Sequence, residues 1–141
     1  MADAALAAAY KAIAIKFNAQ AVSSYPDLAP PTATRPYYVF FWMGGGQRRY
    51  RQSKHDANLV MGIKCVAKTM AEAMVGAANV TLWFDDQGVQ DVGAGSALNA
   101  GPNWAVLATR QESVIHLVED MDKPVQVYHE GWQIRFWLEE V

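Results

Sequence analysis

Cysteine and charged residues are both scarce in this chain, and each shortage restricts what the chain can be. A single cysteine, Cys65, cannot form an intrachain disulfide, so the fold cannot depend on a disulfide framework. Charged residues make up 18% and hydrophobic residues 52% of the 141 residues, which is too apolar for a disordered chain. This length suits one domain with a sizeable core. A surface poor in charge suits contacts between subunits.

Sequence motifs of catalysis and metal binding are missing as well. The histidines are scattered, and no HxH, HExxH or CxxC spacing occurs. Asp85 and Asp86 are adjacent and point in different directions, so they do not form a general acid/base pair. Cys65 lies in an apolar run, which is typical of a buried hydrophobic residue rather than a nucleophile. We therefore expect no catalytic residue, no cofactor and no metal.

Long apolar runs and excess positive charge are also absent. No stretch approaches the roughly 18 apolar residues of a membrane-spanning helix. The Ala-rich residues 4–15 follow Asp3 and contain Lys11, which does not fit a secretory signal. The formal net charge of −2 and the pI near 5.9 are unlike those of a general nucleic-acid binder. We expect a soluble protein made in a cytoplasm, with no membrane partner.

The first third of the chain predicts a helix, a connector and a strand. An apolar stripe with helical spacing runs over residues 4–22, and Asp3 is a candidate N-cap. The alanines favour the helix and should keep its other side thin. Residues 25–36 hold four prolines and predict an extended connector. Residues 37–43 are aromatic or β-branched apart from Met43, which predicts a central strand or an edge strand covered by a neighbouring subunit. The stripe consists of Leu6, Tyr10, Ile13 and Phe17.

A glycine triplet, residues 44–46, should end this strand and begin a hairpin arm over residues 44–56. Two arginines follow the glycines, but neither GxxxxGK[ST] nor GxGxxG is present, so a hairpin fits better than a phosphate loop. Residues 58–67 alternate and predict the returning strand, with Lys64 and Gly62 on its less buried face. The sequence thus predicts a hairpin with a charged tip.

The next segment predicts a second helix, and the last third predicts two more strands. Thr69 and Glu72 match a capping box. Whether residues 79–84 end this helix or form a strand stays open, and residues 88–103 predict a long loop. Strands are predicted at 113–119 and 125–138, with Gly131 as a candidate bulge. Residues expected on the buried stripe of the helix are Met70, Ala73, Met74, Ala77 and either Val80 or Trp83.

These elements predict an α+β fold in which two helices pack on one face of a mostly antiparallel sheet, as a single domain over residues 1–141. Trp137 alternates out of phase with the buried set on its strand, so we expect it at a subunit interface. Basic and acidic residues lie far apart in the chain and suit a head-to-tail contact between identical subunits. A solvated arm, or a phosphate or single-strand site, remains open. The charged candidates are Arg48, Arg49, Arg51, Lys54, Asp120 and Asp122.

The order of elements resembles the tail terminator (tail completion) proteins of long-tailed bacteriophages. The matching pieces are the N-terminal helix, the strand at 35–41, the arm, the strand at 59–65, the helix at 69–78 and the strand at 128–136. The loop at 88–103 and the glycine triplet depart from that pattern. The resemblance covers most of the chain in order and length.

The resemblance implies a structural virion protein that forms a ring, a hexamer in this family, on the head-proximal end of the tail tube. Such a ring stops tube elongation and docks the neck, and DNA passes through it without specific binding. Its partners would be further copies of itself, the tail tube protein and a neck or head-completion protein. Alternatives are a head–tail connector, a minor tail protein, or a small ligand- or nucleic-acid-binding α+β module.

Overall fold

A computed structural model describes residues 4–50, 54–86, 98–119 and 126–141 of the chain. Two helices pack on one five-stranded, mostly antiparallel sheet, so the predicted α+β class is confirmed. The elements in chain order are α1 (Ala5–Ala19), β1 (Ser24–Pro26), β2 (Tyr37–Tyr50), β3 (Lys54–Ala67), α2 (Met70–Phe84), β4 (Trp104–Glu119) and β5 (Val127–Glu140).

The sheet has the strand order β1-β2-β3-β5-β4, with β3 at its centre. All neighbouring pairs are antiparallel except β1 and β2, which are parallel. The short β1 lies within the predicted Pro-rich connector, and an edge position suits proline because proline cannot donate to the ladder. At its other edge the sheet ends in β4, which is 16 residues long.

The core lies between the helices and one face of the sheet. Alternate residues of β3 and β5 point to this face, including Met61, Ile63, Ile134 and Phe136, none of them measurably exposed. Phe17 of α1 joins the layers: its ring centroid lies 5.1 Å from that of Phe84 on α2 and 6.0 Å from that of Phe40 on β2. The predicted inward alternation of both strands is confirmed.

Helix α1 packs through small residues as well as through its predicted stripe. Ala5, Ala8, Ala9 and Ala12 are fully buried, so the expectation that the alanines form a thin outer side is wrong. Alanine on the buried side lets the helix approach the sheet closely. The N-cap residue is Ala4, which has no side-chain capping bond, and Asp3 lies outside the described residues. Instead, the amide of Ala5 donates to Gln47 Oε1 at 2.9 Å.

Helix α2 begins as predicted but presents a different face to the sheet. The amide of Glu72 donates to Thr69 Oγ1 at 3.2 Å, which confirms Thr69 as the N-cap. The helix continues to Phe84, so residues 79–84 are helical. The buried residues are Ala73, Gly76, Val80 and Phe84, whereas Met74 is 59% exposed and its predicted burial is wrong.

Gly76 explains why the buried side of α2 differs from the predicted side. A Cβ at this position would lie 2.2 Å from Cβ of Cys65, so only glycine lets the helix rest on β3 there. Because Gly76 must face the sheet, Met74 and Val75 turn outward. A buried stripe predicted from large apolar side chains misses this contact, because glycine has no side chain.

The glycine triplet does not end β2, which continues through it to Tyr50. The register shifts between Trp42 and Gly44, and Gly45 has φ 83° with Asn58 O at 2.0 Å from where a Cβ would be. These glycines therefore let the hairpin keep pairing through an irregularity. The tip at 51–53 lies outside the described residues.

The last two strands differ from prediction in two places. Strand β4 begins at Trp104, nine residues before its predicted start at residue 113. Gly131 is not a bulge: it pairs in register with Lys64 and Ile115, and the irregularities lie in β4. Of the predicted loop at 88–103, residues 88–97 lie outside the described residues, and Leu98 is buried.

Candidate functional site

The predicted charged arm is the far end of the β2–β3 hairpin. In the strand register Arg48 pairs with Asp56, Arg49 with His55, and Tyr50 with Lys54. Arg51, and the acidic candidates Asp120 and Asp122, lie outside the described residues. Backbone pairing therefore places three of the four basic candidates together, and the predicted contact with an acidic surface stays a prediction.

Trp137 lies on the sheet face that carries no helix, called the open face below. Its side chain is partly buried, and the guanidinium of Arg110 lies 5.9 Å from its ring centroid. It lines a hollow of about 380 Å³ together with Gly46, Gln47 and Asn58. The structure thus places Trp137 on the outer surface, next to the base of the arm, which leaves it available for a contact between subunits.

Polar contacts occupy the middle of the open face. Arg135 forms an ion pair with Glu112 and donates from Nη1 to Asn58 Oδ1 at 2.6 Å. These residues come from β5, β4 and β3 and cross-link the strands. Their partners are within the chain, so we assign them a structural role.

The outward side of α2 exposes several apolar side chains. Met74 is 59%, Val75 62% and Leu82 69% exposed, and Ala71 and Ala78 lie between them. Glu72 is the only charged side chain on this exposed side of α2. Sequence reasoning missed this surface, called the α2 outer face, because it had assigned Met74 to the core. A signal was present: the helix is apolar nearly all round.

A hollow of about 610 Å³ adjoins the α2 outer face. Val75, Gly76 and Asn79 of α2 line one side of it, and Val22 and Pro36 line the other. Its walls are mostly apolar. The hollow and the α2 outer face share Val75 and therefore form one continuous, mostly apolar surface.

Cys65 is buried below α2, with 1% of its surface exposed. Burial raises the pKa of its thiol to about 11, with a smaller contribution from the charge of Glu72. A thiol with a raised pKa holds little thiolate at neutral pH and is a poor nucleophile. The expected burial of Cys65 is confirmed.

A group of charged side chains lies at the end of the open face next to β1. Nε2 of His129 is 2.6 Å from Oε1 of Glu119, at angles that are poor for a hydrogen bond. Lys64 Nζ lies 5.6 Å from the ring centroid of Phe41. Arg35 Nη1 is buried without a hydrogen-bond partner among the described residues. We call Arg35, Lys64, Glu119 and His129 the open-face cluster.

Burial and charge both act on the titration of the open-face cluster. Desolvation lowers the pKa of His129 below its usual 6.5, and the positive charges of Lys64 and Arg35 lower it further, while Glu119 opposes them. Desolvation also lowers the pKa of Lys64, again opposed by Glu119. Both shifts disfavour the cationic forms, and desolvation is the larger cause in each case.

Other kinds of site find little support in the described ranges. No group of three or more His, Cys, Asp or Glu side chains within 4–50, 54–86, 98–119 and 126–141 is arranged to hold a metal ion. Neither described helix is long and apolar enough to cross a membrane. Comparison with protein-family models and with curated proteins gives no match to this chain.

Proposed function

We propose that this chain is a structural subunit of a closed homo-oligomeric ring and that it serves as a tail terminator at the head-proximal end of a phage tail tube. The observation that carries the proposal is the α2 outer face. Met74, Val75 and Leu82 are each more than half exposed on one helix side that has a single charge. Aliphatic side chains gain roughly 1.5–3 kcal/mol each when fully buried, which favours covering such a face.

In the proposed ring, a second copy of the chain covers this surface. In that ring the α2 outer face of one copy would pack against a different face of the next copy, which makes the contact heterologous. Heterologous contacts repeat by rotation and form a ring where that rotation closes. Trp137 and the arm lie on the opposite layer of the molecule, where the neighbouring copy would present them.

The resemblance in the order of elements is what supports a tail-terminator role for the proposed ring. The helix, the hairpin arm, the capped second helix and the C-terminal strand occur in the structure in that order. A ring of this kind acts by shape: it ends tube growth and offers a docking face to the neck, and catalysis has no part in it. A head–tail connector would use the same ring and differ in its partners.

Light scattering on wild-type protein and on Leu82→Glu tests the ring. We expect a wild-type mass of several times 15.6 kDa, near sixfold for a hexamer, that falls toward one chain in the variant because a charge cannot be buried in an apolar contact. Val141→Glu is the matched control, since Val141 is also 69% exposed but lies at the C-terminus.

Two outcomes would contradict this proposal. If Leu82→Glu keeps the wild-type mass, the α2 outer face is not the contact. If wild-type protein stays at one chain mass at every concentration, with and without purified tail tubes, the ring proposal fails. Binding to the end of tubes, seen by electron microscopy, supports the terminator over the connector.

A further inference from the structure

The far half of strand β4 is a free edge of the sheet. Its near half is covered by the chain that follows α2: the amide of Asp86 donates to the carbonyl of Thr109 at 3.1 Å. The amide of Gln111 donates to Asp85 Oδ1 at 2.7 Å. Beyond the irregularity that follows Gln111, residues 114–118 pair with β5 and with no other strand in the described part of the chain. We call these residues the β4 free edge, and such an edge is a template for another strand.

The sequence of the β4 free edge is nearly symmetric about its centre. It reads VIHLV, with His116 in the middle. If two copies pair in antiparallel orientation about His116, Val114 of one copy lies opposite Val118 of the other. Ile115 then lies opposite Leu117 of the other copy. Branched apolar side chains that face each other across two strands stabilise the pairing, and no like charges are opposed.

The backbone of the β4 free edge has the phase that this pairing needs. The hydrogen-bonding groups of a strand point alternately to its two sides, and those of Gln111 point away from β5. Gln111 pairs with Ile134 and Val114 with Trp132, so β4 advances three residues where β5 advances two. Val114 therefore takes the outward phase of Gln111, as does every second residue after it. His116, at the centre of the symmetric sequence, is one of these outward residues.

Pairing would also cover exposed side chains on both faces of the sheet. Val114 is 58% and Leu117 48% exposed. They are three residues apart in a strand, so their side chains point to opposite faces. His116 forms an ion pair with Glu130 of its own chain, so two copies of this histidine would not bring unpaired charges together. Both faces of the seam would thus gain apolar contact without an isolated charge.

We propose that the β4 free edge pairs with the same edge of a second copy of this chain, across a two-fold axis at His116. Each outward residue would exchange backbone hydrogen bonds with its counterpart, which joins the two sheets into one. The contact is isologous, because both copies use the same segment. It does not use the α2 outer face and is therefore separate from the proposed ring contact. A seam of five residues per copy is smaller than a standard interface, so pairing should need a high protein concentration.

Disulfide cross-linking of the full-length protein tests the axis. Residues directly opposite in a hydrogen-bonded antiparallel pair have Cα atoms about 5.5 Å apart, within the reach of a disulfide. We expect oxidised His116→Cys to form a covalent dimer. Val114→Cys is the matched control: it is exposed on the same segment, but its counterpart in the second copy would lie roughly 14 Å away along the strands. Equal cross-linking of both variants, or of neither, would overturn the proposal. The native Cys65 is buried and should not react.

Light scattering gives a second reading that needs no change at His116. In the Leu82→Glu protein, which removes the proposed ring contact, the mass should rise from one chain toward two as concentration increases. Adding Val114→Lys should hold it at one chain, because lysine on an edge strand opposes pairing. Adding Leu107→Lys is the control, since Leu107 is exposed on the same strand outside the β4 free edge. A monomer at every concentration in Leu82→Glu contradicts the strand pairing alone, whereas a wild-type dimer that never grows further contradicts the ring alone.

Discussion

Single residues decide where the second helix sits and how the open-face cluster titrates. Gly76 and Gly131 both stand where a Cβ would come within 3 Å of a neighbouring strand. Neither close approach can be predicted from a single sequence. Glycine normally destabilises the interior of a helix or strand, and its purpose is apparent only when the residue packed against it is known. Thr69 is the opposite case: its capping role depends on nearby sequence and was predicted correctly.

Replacing Gly76 by Ala should destabilise the protein. Alanine favours a helix by about 1 kcal/mol over glycine, but here its Cβ would overlap Cys65, and overpacking typically costs 1–3 kcal/mol. We expect a net loss of about 1 kcal/mol in the free energy of unfolding, measured by urea denaturation. Ala7→Gly, at an exposed position of α1, measures the propensity alone. An unchanged or higher stability of Gly76→Ala would refute the close contact.

Acid should weaken the fold through His129. Its pKa is lowered in the folded protein, so near pH 6 the unfolded chain binds more protons than the folded one. The free energy of unfolding that depends on His129 is therefore highest above the unfolded-state pKa of about 6.5, and it decreases as the pH falls below that value. Unfolding free energies between pH 7.5 and 5 should drop more in wild-type protein than in His129→Gln. Equal slopes would mean that His129 does not carry the effect.

Whole elements were predictable where a pattern was local and repeated. Strand β3, the core-facing side of β5 and the start of α2 follow from alternation or capping within a few residues. The start of β4 was missed because Trp104 and Val106 stand among small and polar residues. The open-face cluster joins residues from positions 35 to 129, and only the strand order brings them together.

The hairpin arm can be tested as an element. If its basic end contacts an acidic surface of the next subunit, reversing charge with Arg48→Glu and Arg49→Glu should lower the light-scattering mass at low salt and have less effect at high salt. Both residues pair through the backbone within the hairpin, and circular dichroism checks that the variants fold. Lys16→Glu on α1 is the charge control. An intact oligomer with loss of phosphate binding would instead favour a ligand site on the arm.

The molecule as a whole has two layers with different surfaces. The helix layer exposes the apolar side of α2, and the sheet layer exposes a mixed face with Trp137, an arginine–glutamate pair and the open-face cluster. Composition alone indicated a chain poor in charge, but it could not say on which layer the exposed apolar residues lie. The proposed ring would use these two unlike faces of each subunit in a heterologous contact.

Cys65 lies under α2, where Gly76 rests directly on it. Because it is the only sulfhydryl of the chain, a thiol-specific reagent has a single target, and that target is closed while the helix stays docked. The labelling rate therefore counts how often α2 lifts from the sheet, in the same way that amide exchange counts local opening. If neighbouring subunits hold α2 against the sheet, assembly will lower the rate at which the Cys65 thiol is labelled.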